Sequence, residues 1–399
     1  MPAIVILFTR FGPYHMARIA ATARFAAATG DEIIGMEITR TDHAYAWGPV
    51  DDTPAFRRVT LFPDTGYESL SPAQITAALQ QALDTIAPRA VALPGWSFPE
   101  SLAGLRWCHR TGAIPILMSE SARGDASRSI MREFVKRCLV RHFAAALVGG
   151  SRHAAYAAAL GLAASSIHLG YDVVDNDYFS EGATQARAQA PALRAQYRLP
   201  ERYILASCRF IPKKNLDRLL TAFAAFHEKP AAANWHLVLC GDGELRQSLE
   251  HQAASLGIAA FTHFPGFTSY RDLPIYYGLA SLFVHASTVE QWGLVVNEAM
   301  AAALPVLVSE RCGCVPELVH NGKNGFTFNP ENIGDLTARL THMTTSPAHL
   351  SSMGAASRDI IRPWSPDRFA AGLMAARDAA RQTPARPTIL ARTVFSLVK

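Results

Sequence analysis

No hydrophobic run in this 399-residue chain approaches the roughly 18–20 residues that a membrane-crossing helix needs, which argues against a helical span. Paired cysteines are missing as well. The six, at 108, 138, 208, 240, 312 and 314, show no zinc-like spacing, and Cys312-Gly-Cys314 is too close for an ordinary metal pair. Reduced, mostly buried thiols in a cytoplasmic protein are the expectation. The opening MPAIVILFTRFG has no basic residue before its short apolar run and no small-residue cleavage site, so it reads as a first strand rather than a signal peptide. Charge is modest: 38 Lys+Arg against 33 Asp+Glu give a formal +5. That excess implies no nucleic-acid partner, and it is compatible with phosphorylated substrates or an anionic membrane surface. No G-x-G-x-x-G follows the first strand, which ranks a nicotinamide-dependent oxidoreductase low. What the chain does have is apolar content, 49%, enough for globular cores, and a length that calls for two domains.

Residues 3–171 alternate strand and helix. The apolar runs Ile4–Phe8, Glu32–Ile38, Val91–Leu93, Ile114–Met118 and Ala145–Val148 read as strands. Ala-rich stretches such as Tyr14–Ala28, Pro72–Ile86 and Ser129–His142 read as helices between them, with Ser71 and Ser151 as N-caps. Residues 203–346 repeat the pattern, with strands at Tyr203–Ser207, His236–Cys240, Phe261–Phe264, Ser281–His285 and Val306–Val308. Such alternation predicts an α/β fold of two doubly wound, Rossmann-like halves. The expected division is an N-terminal domain over 1–180, a linker over the Ala/Gln/Arg-rich 181–200, and a C-terminal domain over 201–364. The helix Ser365–Arg381, in the segment 365–399, is expected to run back onto the first domain.

The chemistry concentrates in Thr288–Ser309, TVEQWGLVVNEAMAAALPVLVS. Glu290 and Glu298 stand eight positions apart. Gly293 opens a helical run, Leu294 to Ala303, which Leu304-Pro305 stops before a buried strand. The first-turn amides at Gly293, Leu294 and Val295 favour an anion, with one carboxylate on each side. That suits a nucleotide sugar, its pyrophosphate on the amides and its hydroxyls on the glutamates. On spacing alone, a loop-to-helix junction with two solvated glutamates fits equally well. Arg209 and Lys214, in SCRFIPKKNLDRLL, follow the first strand of the second half, where such sheets bind ligands. These cations would neutralise a leaving diphosphate as charge grows on it; alone, they also read as a basic loop. Lys213 is the near-duplicate. Gly241 and Gly243 in LVLCGDGEL read mainly as turn residues.

The E-x7-E stretch EQWGLVVNEAMAAALPVLVS resembles the donor-site signature of the retaining glycosyltransferases of family 4, two-domain enzymes of the GT-B fold. The resemblance implies that Glu290 contacts the donor sugar and Glu298 the ribose, with Arg209 and Lys214 on the diphosphate. It places Gly266 and Phe267, in Phe264-Pro265-Gly266-Phe267, beside the base, and Gly12 near the donor phosphate. Ala303 stands where the family usually has glycine, and tight packing is expected there. His15 is expected to bind acceptor, to help move a proton, or to act as a local cap. Glu120, in Ser119-Glu120-Ser121, occupies a point where many relatives carry a histidine that touches the donor sugar, and is read as taking a related role, as an acceptor contact, or as a loop cap. VVDNDYF (Val173–Phe179) resembles the family's GVDxxxF segment. Its Asp175-Asn-Asp177 formally matches a metal-binding D-x-D but reads better as a hinge.

The implied activity is transfer of a sugar from a nucleotide-diphosphate sugar to a hydroxyl acceptor, in polysaccharide, lipopolysaccharide or other glycoconjugate synthesis. No metal or cofactor is implied. The implied mechanism is front-face displacement, in which the leaving phosphate takes the acceptor's proton. The alternative is a non-catalytic nucleotide-sugar-binding scaffold on the same fold; a sugar phosphorylase ranks lower, since nothing marks a pyridoxal lysine. The basic helical stripe of Arg128–Arg141 and the apolar, basic tail Thr388–Lys399 leave open a peripheral contact at the inner membrane face. The aromatics of Asp42–Pro49 are a candidate acceptor platform.

Overall fold

The computed structural model describes residues 2–42, 50, 55–125, 129–232, 234–382, 385 and 387–398. The platform segment 43–49 and Arg128 lie outside them. The chain divides into two units, Met1–Val174 with Ser365–Lys399, and Asp175–Trp364.

In the first unit seven strands form a parallel sheet: β1 (Ala3–Phe8), β2 (Glu32–Thr39), β3 (Arg57–Phe62), β4 (Ala90–Pro94), β5 (Ile114–Ser119), β6 (Ala145–Val148) and β7 (Ile167–Leu169), in the order β3-β2-β1-β4-β5-β6-β7. β1, AIVILF, is buried along its whole length. Only a strand covered on both faces can be apolar at every position, so the absence of alternation marks a central parallel strand. The edges break that rule. β3 begins with two arginines and is largely half-exposed, and β7 has three residues; neither gives an apolar run.

Helix starts in this unit use two devices. Ser71 accepts from the Gln74 amide at the head of Pro72–Ile86, as its sequence indicates. Gly12 and Gly150 instead donate their own amides to the Nδ1 of His15 (2.9 Å) and His153 (3.0 Å), three residues on. Ser151 is therefore the first helical residue and Gly150 the cap. The helix Pro366–Gln382 belongs to this unit and buries Phe369, Leu373, Met374 and Arg377. Gly372 lets it lie close to the sheet: a Cβ there would come within 2.7 Å of Leu147 Cδ1 and 2.8 Å of the Leu169 carbonyl. Arg377 forms an ion pair with Asp31, both side chains under 8% exposed.

The second unit holds β8 (Tyr203–Ser207), β9 (His236–Cys240), β10 (Thr262–Gly266), β11 (Leu282–His285), β12 (Val306–Ser309) and β13 (Gly325–Phe328) in a six-stranded sheet ordered β10-β9-β8-β11-β12-β13, again parallel. The stretch 181–200 is not a connector. It falls within the helices Asn176–Ala188 and Ala190–Tyr197 and the turn after them, inside this unit. Its alanines and glycine serve close packing on the helix Leu273–Leu279. Ala183 and Ala186 are buried, and a Cβ at Gly278 or Gly182 would come within 2.8 Å of Ala183 Cα or 2.6 Å of Pro274 Cβ respectively. Small residues at a helix contact look like linker composition when no apolar period accompanies them.

Both sheets reverse their winding at one place, between β1 and β4 and between β8 and β11. Ligands of doubly wound sheets bind beyond the carboxyl ends of the strands at that point. The hollow lined by Asp84, Arg89, Trp107 and Arg381 opens instead beside the amino-terminal ends of β4 and β5, the wrong end for such a site.

Candidate functional site

At the switch point of the second sheet, the loops leaving β8 and β11 converge. Asn215, buried and in the left-handed region (φ 59°), ties them. Its amide donates to the Ala286 carbonyl at 3.1 Å and to that of Pro330 at 2.9 Å. The Thr288 amide donates to the Lys213 carbonyl at 2.9 Å. This fixes Lys214, whose ammonium pairs with Glu290 Oε2. The same oxygen accepts from Ser287 Oγ at 3.0 Å and lies 3.1 Å from Nε2 of His285, the last residue of β11. Lys214 and Glu290 side chains are 12% and 13% exposed, shielded yet reachable by a ligand.

Burial alone would push the Glu290 carboxyl up. Hydrogen bonding from His285 and the neighbouring Lys214 outweigh it and hold the group well below the usual carboxylate range. Burial pushes His285 down from its ordinary 6.5, and the bond to Glu290 offsets this only in part. A neutral imidazole beside an ionised carboxylate must donate through Nε2–H. Burial also raises the Cys208 thiol to about 12, with Lys214 and Arg209 pulling it down and Glu290 up.

Arg209 is exposed, on a segment clasped by the glycine turn after β9. Phe210 N–H donates to the Asp242 carbonyl (2.8 Å) and Leu245 N–H to that of Phe210 (3.1 Å). Gly241 (φ 135°) passes so close that a Cβ would stand 1.9 Å from the Cys208 carbonyl oxygen. The turn is thus also a support for the arginine loop. Gly241 N–H donates to the carbonyl of Gly266 (2.9 Å), at the end of β10, and the following Phe267 is 48% exposed.

Gly293 (φ 100°) caps the helix Leu294–Ala301, with the Leu294 and Val295 amides in its unpaired first turn. A Cβ at Gly293 would lie 3.4 Å from Glu290 Cγ. The glutamate loop is pinned from behind: Gly313 N–H donates to the Glu290 carbonyl (3.0 Å) and Cys314 N–H to that of Trp292 (3.2 Å). Glu298 sits one turn into the helix, fully enclosed, with the equally buried Tyr277 hydroxyl donating to its Oε2 at 2.6 Å. So Lys214, Glu290 and the helix start at Gly293, Leu294 and Val295 gather at one place, while Arg209 is exposed on the loop that leaves β8. Glu298 adjoins it without surface of its own.

The remaining sequence candidates lie in the first unit or at the very start of the second. His15 Nδ1 is engaged by the Gly12 amide, and its ring packs on Phe8 at 4.2 Å between centroids. Burial, then Arg18 and Arg10, push it down to about 3. It is therefore neutral with its acceptor nitrogen occupied, the state of a helix cap and a poor general base. Glu120, half-buried after β5, shares a hydrogen bond with Asp172, whose carboxyl burial and the Glu120 charge push well above the carboxylate range, against Arg18. Asp175 accepts from the Tyr178 amide (3.1 Å) at the head of a helix, and Asn176 donates to the Ile361 and Trp364 carbonyls, so this D-x-D is built as a helix start. Among the described residues no group of three or more His, Cys, Asp and Glu is arranged to hold a metal ion.

Sequence reasoning passed over His285, Ser287, Asn215 and Tyr277. The period-2 spacing of His285 and Ser287 at a strand end was a usable signal, since it sends both side chains the same way. The other two act through loops and helices distant in sequence.

Residues 190–360 match the family model described as glycosyl transferases group 1. A GDP-mannose-dependent alpha-(1-6)-phosphatidylinositol monomannoside mannosyltransferase of Mycobacterium tuberculosis is 31% identical over 238 residues, 57% of this chain and 60% of that protein. The alpha-monoglucosyldiacylglycerol synthase of Acholeplasma laidlawii is 26% identical over 193 residues, 48% of this chain and 47% of its own. The chain thus spans about half to three-fifths of these relatives. Sucrose-phosphate synthase from Thermosynechococcus elongatus superposes with a TM-score of 0.73 at 18% identity, over 96% of this chain and 99% of that one. Anabaena HepE, solved with UDP and glucose, gives 0.68 at 16%, over 95% and 98%.

The fold is GT-B. Two parallel-sheet, Rossmann-like units, of seven and six strands, make up this GT-B chain. No helix among the described residues is long and apolar enough to cross a membrane.

Proposed function

We propose that the protein is a retaining, metal-independent glycosyltransferase that moves a sugar from a nucleotide-diphosphate sugar to a hydroxyl acceptor. One observation carries this reading: the Lys214–Glu290 pair, braced by His285 and Ser287, stands at the second sheet's switch point beside the amides that open the helix Leu294–Ala301. Lys214 and Arg209 receive the diphosphate, and the charge gained as the glycosidic bond breaks strengthens that grip in the transition state. Glu290, held ionised, accepts hydrogen bonds from sugar hydroxyls. The amides of Gly293, Leu294 and Val295 cradle phosphate. Phe267, exposed after Gly266, is the base neighbour. Glu298 is the ribose partner, a role that requires its enclosed carboxylate to be uncovered when the donor arrives. In the first unit, His15 serves as a cap for its helix.

GDP-mannose and UDP-glucose are the first donors to try, and lipid-linked hydroxyls the first acceptors, in glycoconjugate synthesis at the cytoplasmic face of a membrane. The relatives' names and the ligand in Anabaena HepE motivate those choices. The test is nucleoside-diphosphate release from these donors by wild type and Lys214→Ala. We expect wild-type turnover and a loss of about 10²–10³-fold in the variant. Undiminished activity in Lys214→Ala would sink the assignment. Tight donor binding without release or transfer would make the protein a scaffold.

A further inference from the structure

Two neighbouring helices of the first unit carry large apolar side chains into solvent. On Ile130–Val140 these are Ile130, 92% exposed, with Met131 and Phe134; on Ile389–Leu397 they are Ile389, 85% exposed, with Leu390 and Leu397. The helices are packed through their other faces. Cys138, Leu139, Ala391 and Phe395 are buried. His142 bridges the pair: its Nε2 lies 3.2 Å from the Ala391 carbonyl oxygen, and its ring lies 4.4 Å from Phe395. Since the inner faces already supply the core contacts, the outward residues have no packing role. Exposed apolar groups clustered on adjoining elements mark an interaction surface.

Charge selects the occupant. Residues 126–141 contain five Lys/Arg and one acid, a net of 5 − 1 = +4, and residues 379–399 contain four Lys/Arg and no acid, also +4. The whole chain is +5, so the other 362 residues sum to 5 − 8 = −3. The positive excess is confined to the segments that carry the exposed apolar groups, and Arg132, Arg137 and Arg392 all face solvent. A second copy of the chain would set two such cationic faces against each other. A surface of anionic phosphates over hydrocarbon satisfies both features at once.

We propose that this two-helix face docks on an anionic lipid bilayer, with Ile130, Phe134, Ile389 and Leu397 entering the boundary between headgroups and acyl chains and the arginines meeting lipid phosphate. The inference goes beyond sugar transfer and does not depend on it. It is tested by floating the full chain with vesicles of phosphatidylcholine, alone or mixed with phosphatidylglycerol. The two variants are Ile389→Ser/Leu397→Ser and Arg132→Gln/Arg137→Gln. Binding is expected to the mixed vesicles and not to phosphatidylcholine alone. It should fall at least about tenfold in the glutamine variant, and similarly for wild type at about 1 M salt, where the screening length is about 3 Å. The serine variant should bind about tenfold more weakly even at low salt. Absence of vesicle binding, or undiminished wild-type binding by either variant, overturns the proposal. So does a concentration-dependent dimer that the serine substitutions dissolve, which would give the face to a second copy. Thermal shift of the same variants with nucleoside diphosphates reads the second unit separately, so a failure here is distinct from a failure of the donor site.

Discussion

Lys213 and Lys214 are adjacent and chemically identical, and the loop geometry separates them. One gives its backbone carbonyl to Thr288; the other gives its ammonium to Glu290. Lys213→Ala should retain donor turnover within a few-fold while Lys214→Ala loses it, a contrast measurable by nucleoside-diphosphate release. Titration is a second residue-scale consequence. His15 and His142 are pushed down to about 3 and about 4, chiefly by burial, and His285 in the same direction. In the unfolded chain these groups take a proton near the ordinary 6.5; in the folded chain they refuse it until the pH is far lower. The unfolded state therefore binds more protons below 6.5, and stability falls with pH from about 6.5 toward 4. Melting temperature should drop steadily between pH 7 and pH 5, and His142→Gln should flatten that slope. A slope unchanged by the substitution would mean that His142 is charged in the fold.

Among the elements, the glycines and one alanine carry the sharpest consequences. Ala303 is left-handed (φ 60°) just after the helix Leu294–Ala301. The Leu304 amide donates to the Ala299 carbonyl and the Ala303 amide to that of Met300, the bonds of a Schellman end whose left-handed position favours glycine. A non-glycine residue there costs about 1–2 kcal/mol, partly offset by glycine's larger entropy loss. Ala303→Gly should therefore stabilise the protein by about 0.5–1 kcal/mol in chemical denaturation. Gly241→Ala should do the opposite. Its Cβ has a carbonyl oxygen 1.9 Å away, so backbone must move, at about 2–4 kcal/mol, and the moving segment carries Arg209. Donor turnover should fall with it.

The same elements show what could be read from the chain alone. β1, β6, β8 and β9 announced themselves because doubly covered strands are apolar throughout. β3, β7 and β13 are edges, short or arginine-led, where solvent tolerates any pattern. The helices of 176–197 were misread because helix contacts made by alanine and glycine leave no apolar stripe. Glu290, Gly293 and Lys214 were legible as candidates since they lie in the loops and helix boundaries that follow strands, where residue type limits use. His285, Asn215 and Tyr277 act through side-chain bonds between loops far apart in sequence, which no local pattern encodes. The enclosure of Glu298 is likewise a property of packing.

At the scale of the whole molecule, the second unit is one continuous piece and the first is not. Residues 175–364 contain a complete sheet, its helices and the Lys214–Glu290 cluster. Expressed alone, this segment should melt cooperatively and be stabilised by a nucleoside diphosphate if the proposed donor site is right. The complementary piece, 1–174 without its C-terminal segment, should fail to fold. It lacks Phe369 and Leu373 from its core and the Arg377 partner of the buried Asp31. In the full chain, Arg377→Ala alone should cost about 3–5 kcal/mol by leaving that carboxylate unpaired, a loss visible as a lower denaturation midpoint.

Gly372 and its helix also impose an order of birth. Translation delivers every strand of the seven-stranded sheet before the piece that roofs Leu147 and Leu169, and an entire lobe emerges in the interval. The lobe encoded in between can settle while the ribosome is still at work; the seven-stranded one must wait half-built until residues 366–382 have been made.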